Sequence, residues 1–127
     1  MLLDLFVHAA DVSTQARPFE IGVEWTWLLF EEFFNQGDLE RSQNLPISFL
    51  CDRLTTNITK SQPGFLNFIV IPLFQVISEV TPAMNELEQN ARKNVKEWEN
   101  FVETEEHIKI YAPRSVEDVQ KRWGTEI

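Results

Sequence analysis

The chain has 127 residues, of which 43% are hydrophobic and 24% charged, and its formal net charge is −9. This length fits one domain with a single core, and the composition is that of a globular protein. The negative charge repels phosphate groups, so it argues against a nucleic-acid-binding protein and against a protein that binds anionic lipid.

The chain contains a single cysteine, Cys51, so no disulfide can form within it. Residues 1–7 are apolar but short, and Asp4 interrupts them, unlike a signal peptide. The apolar run of residues 65–74 is shorter than the about 20 residues that span a bilayer. These features predict a cytoplasmic protein in a reducing compartment, without a membrane span.

The spacing of apolar residues is helical almost throughout, which predicts an all-α fold without strands. A first helix is predicted to end near His8, with a loop over residues 9–17. Pro18 suits the first turn of a second helix, which is predicted to end near Gly37. Apolar residues cover most of that helix, so we expect it in the middle of a bundle.

Asp38 and Asp52 are each predicted to cap a short helix, and residues 46–50 are predicted to form a loop between them. Residues 61–78 read as a long apolar helix that Pro72 should kink.

Thr81-Pro82 predicts the start of an amphipathic helix, because proline is favoured in the first helical turn. Ser115 is predicted to cap a last short helix, with Asp118 at the third position of the cap. We expect a domain over residues 1–104 and a tail with a short helix over residues 105–127.

Few residues could carry chemistry on their own. His8 and Asp11 share a helix face, and they could hold a metal or could be a helix-end histidine beside a capping aspartate. Glu31 and Glu32 are adjacent, so they point about 100° apart and do not serve one site. A lone amide such as Gln62 is usually structural.

Four stretches occur in an order and spacing that resemble the second half of the class I 3',5'-cyclic-nucleotide phosphodiesterase catalytic domain. The resemblance covers residues 7–74, and the third stretch is most similar to the calmodulin-regulated subfamily. The stretches are Val7-His8-Ala9-Ala10-Asp11-Val12-Ser13, then Trp25 with Glu31-Glu32-Phe33-Phe34-Asn35-Gln36-Gly37-Asp38, then Leu45-Pro46-Ile47-Ser48-Phe49-Leu50-Cys51-Asp52-Arg53, and then Lys60-Ser61-Gln62-Pro63-Gly64-Phe65 continuing to Pro72.

The resemblance implies the C-terminal part of a multi-helix bundle of the HD type over residues 1–104. It also implies that Asp11 is a metal ligand, that the amide of Gln62 hydrogen-bonds the purine and that the ring of Phe65 stacks on the purine face. Four further residues are implied to line the purine pocket: Leu29 opposite Phe65, Leu50 and Phe68 at its sides, and Trp25 at its floor. Plain core packing is the alternative for Leu29, Leu50, Phe68 and Trp25.

Two features depart from the family pattern. The loop Ser13-Thr14-Gln15-Ala16 lacks the Asn or His and the Pro that the family often has there, and Pro63 follows Gln62. The family also takes two histidines, an aspartate and its general-acid histidine from upstream stretches, whereas this chain has only His8 and His107. We therefore expect no catalytic residue in this chain, and no turnover by the chain alone.

Two functions remain open at this stage. In the first, the chain supplies one metal ligand and the purine pocket to a phosphodiesterase that hydrolyses cAMP or cGMP to the 5'-monophosphate. Zinc and magnesium or manganese then bind only in the completed domain, whose other part is on a longer parent protein or another chain. In the second, the chain is a non-catalytic adaptor that docks on another protein through apolar helix faces. The isolated chain is expected to aggregate or to oligomerise, because a truncated bundle exposes contiguous apolar surface.

Overall fold

The structure is a computed structural model that describes residues 1–123, and that part of the chain contains helices and no strand. The predicted all-α class is confirmed. The described helices are α1 (Leu2–Asp11), α2 (Phe19–Ser42), α3 (Ile58–Phe65), α4 (Ile71–Val80), α5 (Asn85–Glu99), α6 (Glu105–Ile108) and α7 (Val116–Trp123). Three short 3₁₀ turns (Ser13–Ala16, Pro82–Met84, Lys109–Tyr111) and a π turn (Leu66–Val70) join some of them.

The chain forms two compact units. The first consists of Met1–Trp25 and Ile58–Val102, and the second of Thr26–Asn57 and the residues from Glu103 onward. The described part of the tail therefore packs within the second unit. A domain boundary after residue 104 stays a prediction.

Helix α5 is the centre of the first unit, where it packs against α3, α4 and the turn Ser13–Ala16. The side chain of Trp98 is 1% exposed, and its ring meets Phe19 and Phe101 edge-on, each at 5.1 Å between centroids. Burying one such ring contributes about 3 kcal/mol. The amphipathic helix predicted from Thr81-Pro82 is thereby confirmed.

The segment between α1 and α2 is more ordered than the loop predicted over residues 9–17. Helix α1 continues to Asp11 because alanine favours helix and Ala9 is buried. The Nδ2 of Asn94 donates to the carbonyl oxygens of Gln15 and Arg17, at 3.0 and 2.8 Å. These bonds hold the 3₁₀ turn against α5.

The predicted end of α2 near Gly37 is wrong, because the helix continues to Ser42. It ends in a Schellman motif, with Asn44 in the left-handed conformation at φ 56°. The N–H of Asn44 donates to the carbonyl of Arg41 at 3.1 Å, and that of Leu45 to the carbonyl of Glu40 at 2.9 Å. Asn44 therefore has the left-handed position after the helix that was predicted for Gly37.

Gly37 and Asp38 lie inside α2 and have other roles. A Cβ on Gly37 would lie 1.9 Å from the carbonyl oxygen of Cys51, so the glycine permits the loop to cross the helix. Asp38 was expected to cap a helix, but it forms an ion pair with the buried Arg53.

The predicted loop over residues 46–50 is confirmed, but the helix predicted after Asp52 is wrong. Asp52 instead closes a turn. Its Oδ1 accepts from the N–H of Leu54 at 2.9 Å, and its carbonyl accepts from the N–H of Thr56 at 2.9 Å. A capping aspartate serves a tight turn as well as a helix, because both present unpaired N–H groups. Helix α3 begins only at Ile58.

The long apolar helix is divided into three segments, and the π turn Leu66–Val70 directly precedes Pro72. Proline has no N–H, and its ring would clash with the carbonyl four residues earlier, that of Phe68. A π turn widens the helix at that place, so it accommodates the proline.

The stretch Ile58–Val80 is long and apolar enough to cross a membrane by length and composition. The core helix of a globular protein can have the same length and composition, so the described residues give no clear membrane span.

Candidate functional site

Asp11 is the last residue of α1, and its side chain is exposed. It lines an open groove of about 610 Å³ together with His8, Leu3 and Val7. The His8/Asp11 pair predicted from the sequence therefore faces one side of the helix. Among the residues that the structure describes, no group of three His, Cys, Asp or Glu side chains is placed to hold a metal ion. Asp11 can thus offer a metal one carboxylate, and further ligands must come from elsewhere.

Gln62 is buried in α3, with 5% of its surface exposed. Its Nε2 donates to the hydroxyl of Ser61 at 3.2 Å, and that hydroxyl donates to the carbonyl of Ile58 at 2.6 Å. The orientation of the amide is therefore set by a serine that is itself fixed to the backbone. Ser61 was not among the site residues predicted from the sequence, although its place next to Gln62, in the first turn of a helix, was an available signal.

Phe65 and Phe68 follow Gln62 at intervals of three residues on the same helical stretch. Exposure rises along this series, because Gln62 is buried, Phe65 is half-buried and Phe68 is 80% exposed. The three candidate residues thus extend from the core to the surface. Core packing, the alternative interpretation of Phe68, does not fit so exposed a ring.

Trp25 lies on α2 in the first unit and is 54% exposed. Leu29 and Leu50 belong to the second unit. Leu29 lies on α2 and is 43% exposed, so the expectation that α2 is covered on all sides is wrong for this face. The structure therefore places five of the seven candidate residues in one unit and two in the other.

Leu50 lies in the loop after α2, half-buried and at φ 66°. A bulky residue rarely adopts this left-handed conformation, which costs of order 1 kcal/mol. Glu40 fixes the loop: its carboxylate accepts from the N–H of Ser48 at 2.8 Å, from the Ser48 hydroxyl at 2.5 Å and from Nε2 of Gln36 at 3.0 Å. No local pattern predicted this cluster, since its two main partners are eight residues apart.

The hydrogen bonds from Ser48, first from its backbone N–H and then from its hydroxyl, lower the pKa of Glu40 below the ordinary value of 4.5. A lowered pKa in the folded state means that the bonds stabilise the loop above pH 4.5 and are lost as the pH falls through the folded-state pKa. We expect the protection factor of the Ser48 amide, which is its exchange rate relative to the intrinsic rate at the same pH, to fall in that acid range. Amide exchange measured by NMR from pH 6 to pH 3 and corrected for the intrinsic rate would show it. A Glu40→Gln variant should have a low protection factor throughout, and equal profiles of protection against pH for the two proteins would contradict the prediction.

The sequence profile of the 3'5'-cyclic nucleotide phosphodiesterase family matches residues 1–91 of the chain. The mouse dual specificity calcium/calmodulin-dependent 3',5'-cyclic nucleotide phosphodiesterase 1C is 47% identical over 79 residues, which are 62% of this chain and 11% of that protein. The probable 3',5'-cyclic phosphodiesterase pde-1 of Caenorhabditis elegans is 49% identical over 84 residues, 66% of this chain and 13% of that protein.

The bovine 1B relative of the same description is 47% identical over 78 residues, 61% of this chain and 15% of its own length. The chain thus spans between 11% and 15% of the length of these curated relatives. The matched residues include every candidate site residue, from Asp11 to Phe68.

Proposed function

This chain belongs to the 3',5'-cyclic nucleotide phosphodiesterase family, and we propose that it supplies the purine pocket and one metal ligand of a cyclic-nucleotide hydrolase. The family match over residues 1–91 carries the proposal. The chain spans a small part of the length of its relatives. The proposed hydrolase activity therefore belongs to a domain that further polypeptide, on the same chain or on another, must complete. The adaptor function is the less favoured reading, since the curated relatives of the matched region are named as phosphodiesterases.

The described residues of this chain provide part of a metal site. Enzymes of this family are in general metal-dependent. The exposed carboxylate of Asp11 provides one oxygen ligand of the kind that zinc, magnesium and manganese accept, and we assign it that role. Bound divalent metals supply positive charge and an activated hydroxide for attack on phosphorus.

Gln62 is proposed to recognise the purine. An amide both donates and accepts, so it can pair with the edge of adenine or of guanine. Its burial supports the role, because water competes little for a buried amide. The Ser61 hydroxyl engages one N–H and favours one orientation of the amide. Phe65 is half-buried and follows Gln62 by three residues on α3, and we propose that its ring stacks on the purine face.

The apolar side chains Leu29, Leu50, Phe68 and Trp25 are proposed to surround the base in the completed domain. Leu29, Phe68 and Trp25 are each more than a third exposed. Such exposure of large apolar side chains supports a surface that a ligand or further polypeptide covers. The proposed substrate is cAMP or cGMP, and the proposed compartment is the cytoplasm.

A chimera tests the proposal. The 79 matched residues of the mouse 1C relative are replaced by the corresponding residues of this chain, and hydrolysis of cAMP and cGMP is measured with Mg²⁺ or Mn²⁺. We expect Asp11→Asn to lower kcat by about 10²-fold or more, because a neutral amide is a weaker ligand. We expect Gln62→Ala to raise KM about tenfold or more, since about 1.4 kcal/mol or more of purine binding is lost.

The matched controls are Glu79→Gln, an exposed carboxylate on α4, and Gln75→Ala, an exposed glutamine on the same helix. Both should leave kcat and KM unchanged. Equal losses in the control and test variants would contradict the assigned roles.

A further inference from the structure

A groove of about 320 Å³ in the second unit is lined by more cationic than anionic side chains. Its charged lining consists of three arginines, Arg41, Arg53 and Arg114, and one aspartate, Asp38. Because Asp38 is paired with Arg53, the charge that remains on the lining is that of Arg41 and Arg114. The groove therefore favours an anionic group, although the chain as a whole has a formal net charge of −9.

Arg41 and Arg114 each use a part of the guanidinium in an ion pair. Nη2 of Arg41 lies 2.7 Å from a carboxylate oxygen of Asp52, and Nη1 of Arg114 lies 3.1 Å from one of Glu31. Each of these contacts engages one nitrogen of a guanidinium that carries further N–H donors. Those donors suit the oxygens of a phosphate group, which arginine binds through parallel hydrogen bonds.

Ser115 lines the same groove and is exposed. Residues 113–115 are not helical, and α7 begins at the next residue. Glu117 and Asp118 occupy the second and third positions after the serine. Acidophilic protein kinases select acidic residues at these positions, because basic side chains in their substrate groove pair with them. Ser115 thus combines accessibility with the charge pattern of such a substrate.

We propose that Ser115 is phosphorylated by an acidophilic serine kinase, and that the phosphate binds Arg41 and Arg114 and so holds the tail against the end of α2. The kinase transfers the γ-phosphoryl group of ATP. A bond forms between Oγ of Ser115 and the γ-phosphorus, and the bond from that phosphorus to the bridging oxygen breaks. ADP leaves with the electron pair of the broken bond, and the hydroxyl proton passes to a carboxylate of the kinase. This modification is independent of the proposed hydrolase activity, since Ser115 lies outside the family match over residues 1–91.

The carboxylates beside Ser115 oppose a phosphate, and nearby cations compensate them. The hydrogen bonds with Ser115 lower the pKa of Asp118 most, and Lys121 and Arg114 lower it further, so both cations act on this helix end. Phosphorylation removes the hydrogen bond that the serine hydroxyl donates to Asp118 at 2.7 Å, but Oγ still accepts from the N–H of Asp118. In exchange, a group of about −1.5 to −2 charge is placed beside the arginines.

The kinase must open the first turn of α7, because Glu117 and Asp118 lie in that turn. Helix α7 has eight residues. Isolated helices shorter than about 12 residues are marginal in water, so opening this turn costs little compared with unfolding the unit.

Incubation of the full chain with ATP and a purified acidophilic serine kinase tests the transfer, and mass spectrometry locates the phosphate. We expect phosphate on Ser115 and none on Ser42, an exposed serine of the same groove that no acidic residue follows within three positions. Asp118→Asn should lower the rate of transfer about tenfold or more. No transfer to Ser115 by a kinase that modifies an acidic reference peptide, or equal modification of Ser42, would overturn the proposal.

The chain phosphorylated at Ser115 tests the contact with the arginines. Phosphorus NMR should give the phosphate a second pKa below that of the same phosphoserine in an unfolded peptide, because nearby cations favour the dianion. Protease should cut residues 103–123 about fivefold or more slowly than in the unmodified chain. Arg41→Gln combined with Arg114→Gln should remove both effects and leave transfer to Ser115 unchanged.

Arg92→Gln is the matched control, because Arg92 is an exposed arginine of α5 in the first unit. It should leave both effects intact, and circular dichroism should show that all variants are folded. Arg41→Gln alone, which removes an exposed ion pair, should raise the pKa of the phosphate part of the way. A phosphate that has the pKa of the unfolded peptide, or whose pKa does not change when both arginines are replaced, would overturn the proposed contact.

Discussion

Replacing Arg53 by alanine is expected to lower the free energy of unfolding of the second unit by about 3–5 kcal/mol, the cost of leaving a buried charge without its partner. The side chain of Arg53 is 1% exposed. It contacts both carboxylate oxygens of Asp38, with Nη2 at 2.7 Å from Oδ2 and Nε at 3.1 Å from Oδ1. The Nε contact is a hydrogen bond and the Nη2 contact is an ion pair, and little solvent screens either of them.

Arg53 also holds the tail. Its Nη1 donates to the carbonyl oxygen of Ile110 and, at 3.1 Å, to that of Ala112. Its Nη2 donates to Oδ1 of Asn35 at 3.2 Å, and its guanidinium lies 5.4 Å from the ring centre of Phe34. Loss of Arg53 should therefore release the residues after 103 as well as weaken the unit.

Urea unfolding and limited proteolysis measure both effects. The matched control is Arg41→Ala, which removes an ion pair with Asp52 in which the side chains are 46% and 25% exposed. Solvent weakens such a pair, so its loss should cost less than about 1 kcal/mol. Equal destabilisation by the two variants, or a tail as resistant to protease without Arg53 as with it, would contradict this role.

Replacing Gly37 by alanine is expected to destabilise the second unit by about 2–3 kcal/mol, although alanine is the better helix former. An added Cβ would lie 1.9 Å from the carbonyl oxygen of Cys51 and 2.7 Å from its carbonyl carbon. These are backbone atoms, so no side-chain rotation relieves the clash. The loop that carries Cys51 must move away from α2.

Gly64→Ala is the matched control, because it makes the same change in helix α3 with no atom within 4 Å of the new Cβ. Because no clash opposes the change at Gly64, its main effect is to lower the conformational entropy of the unfolded chain. The variant should therefore be more stable by about 0.5–1 kcal/mol. Thermal unfolding of both variants measures the contrast. Stabilisation by Gly37→Ala would show that the loop does not cross the helix as closely as described.

Helical class and family membership could be predicted from the sequence, because each depends on patterns repeated over many residues. The amphipathic period of α5 needs only the spacing of apolar residues, and its buried Trp98 confirms it. The Ser115 cap is also confirmed, since the N–H of Asp118 donates to its hydroxyl at 3.1 Å. Both signals are local, and the tertiary contacts of these two helices agree with them.

The errors arose where one residue type has two uses. Glycine ends helices and also permits close approach, and Gly37 has the second use. Aspartate caps helices and also pairs with buried arginine, as Asp38 does. The role of Arg53 was not predictable, because its tail partners are 57 and 59 residues away in sequence.

The sequence also predicted some features of the candidate site and not others. The burial of Gln62 agrees with both the structural and the purine-binding interpretations, so geometry leaves its role a proposal. The orientation of its amide depends on Ser61, a contact that spacing alone does not show.

Whether this chain forms part of a cyclic-nucleotide hydrolase is tested most directly by the turnover of the chimera that carries its residues in place of the 79 matched residues of the mouse 1C relative. Hydrolysis of cAMP and cGMP is followed by release of the 5'-monophosphate with Mg²⁺, with Mn²⁺ and with EDTA. We expect metal-dependent hydrolysis within about tenfold of the rate of the parent enzyme, abolished by EDTA. A folded chimera that binds its metals but hydrolyses neither nucleotide would contradict it, and the chain would then be studied as a docking module.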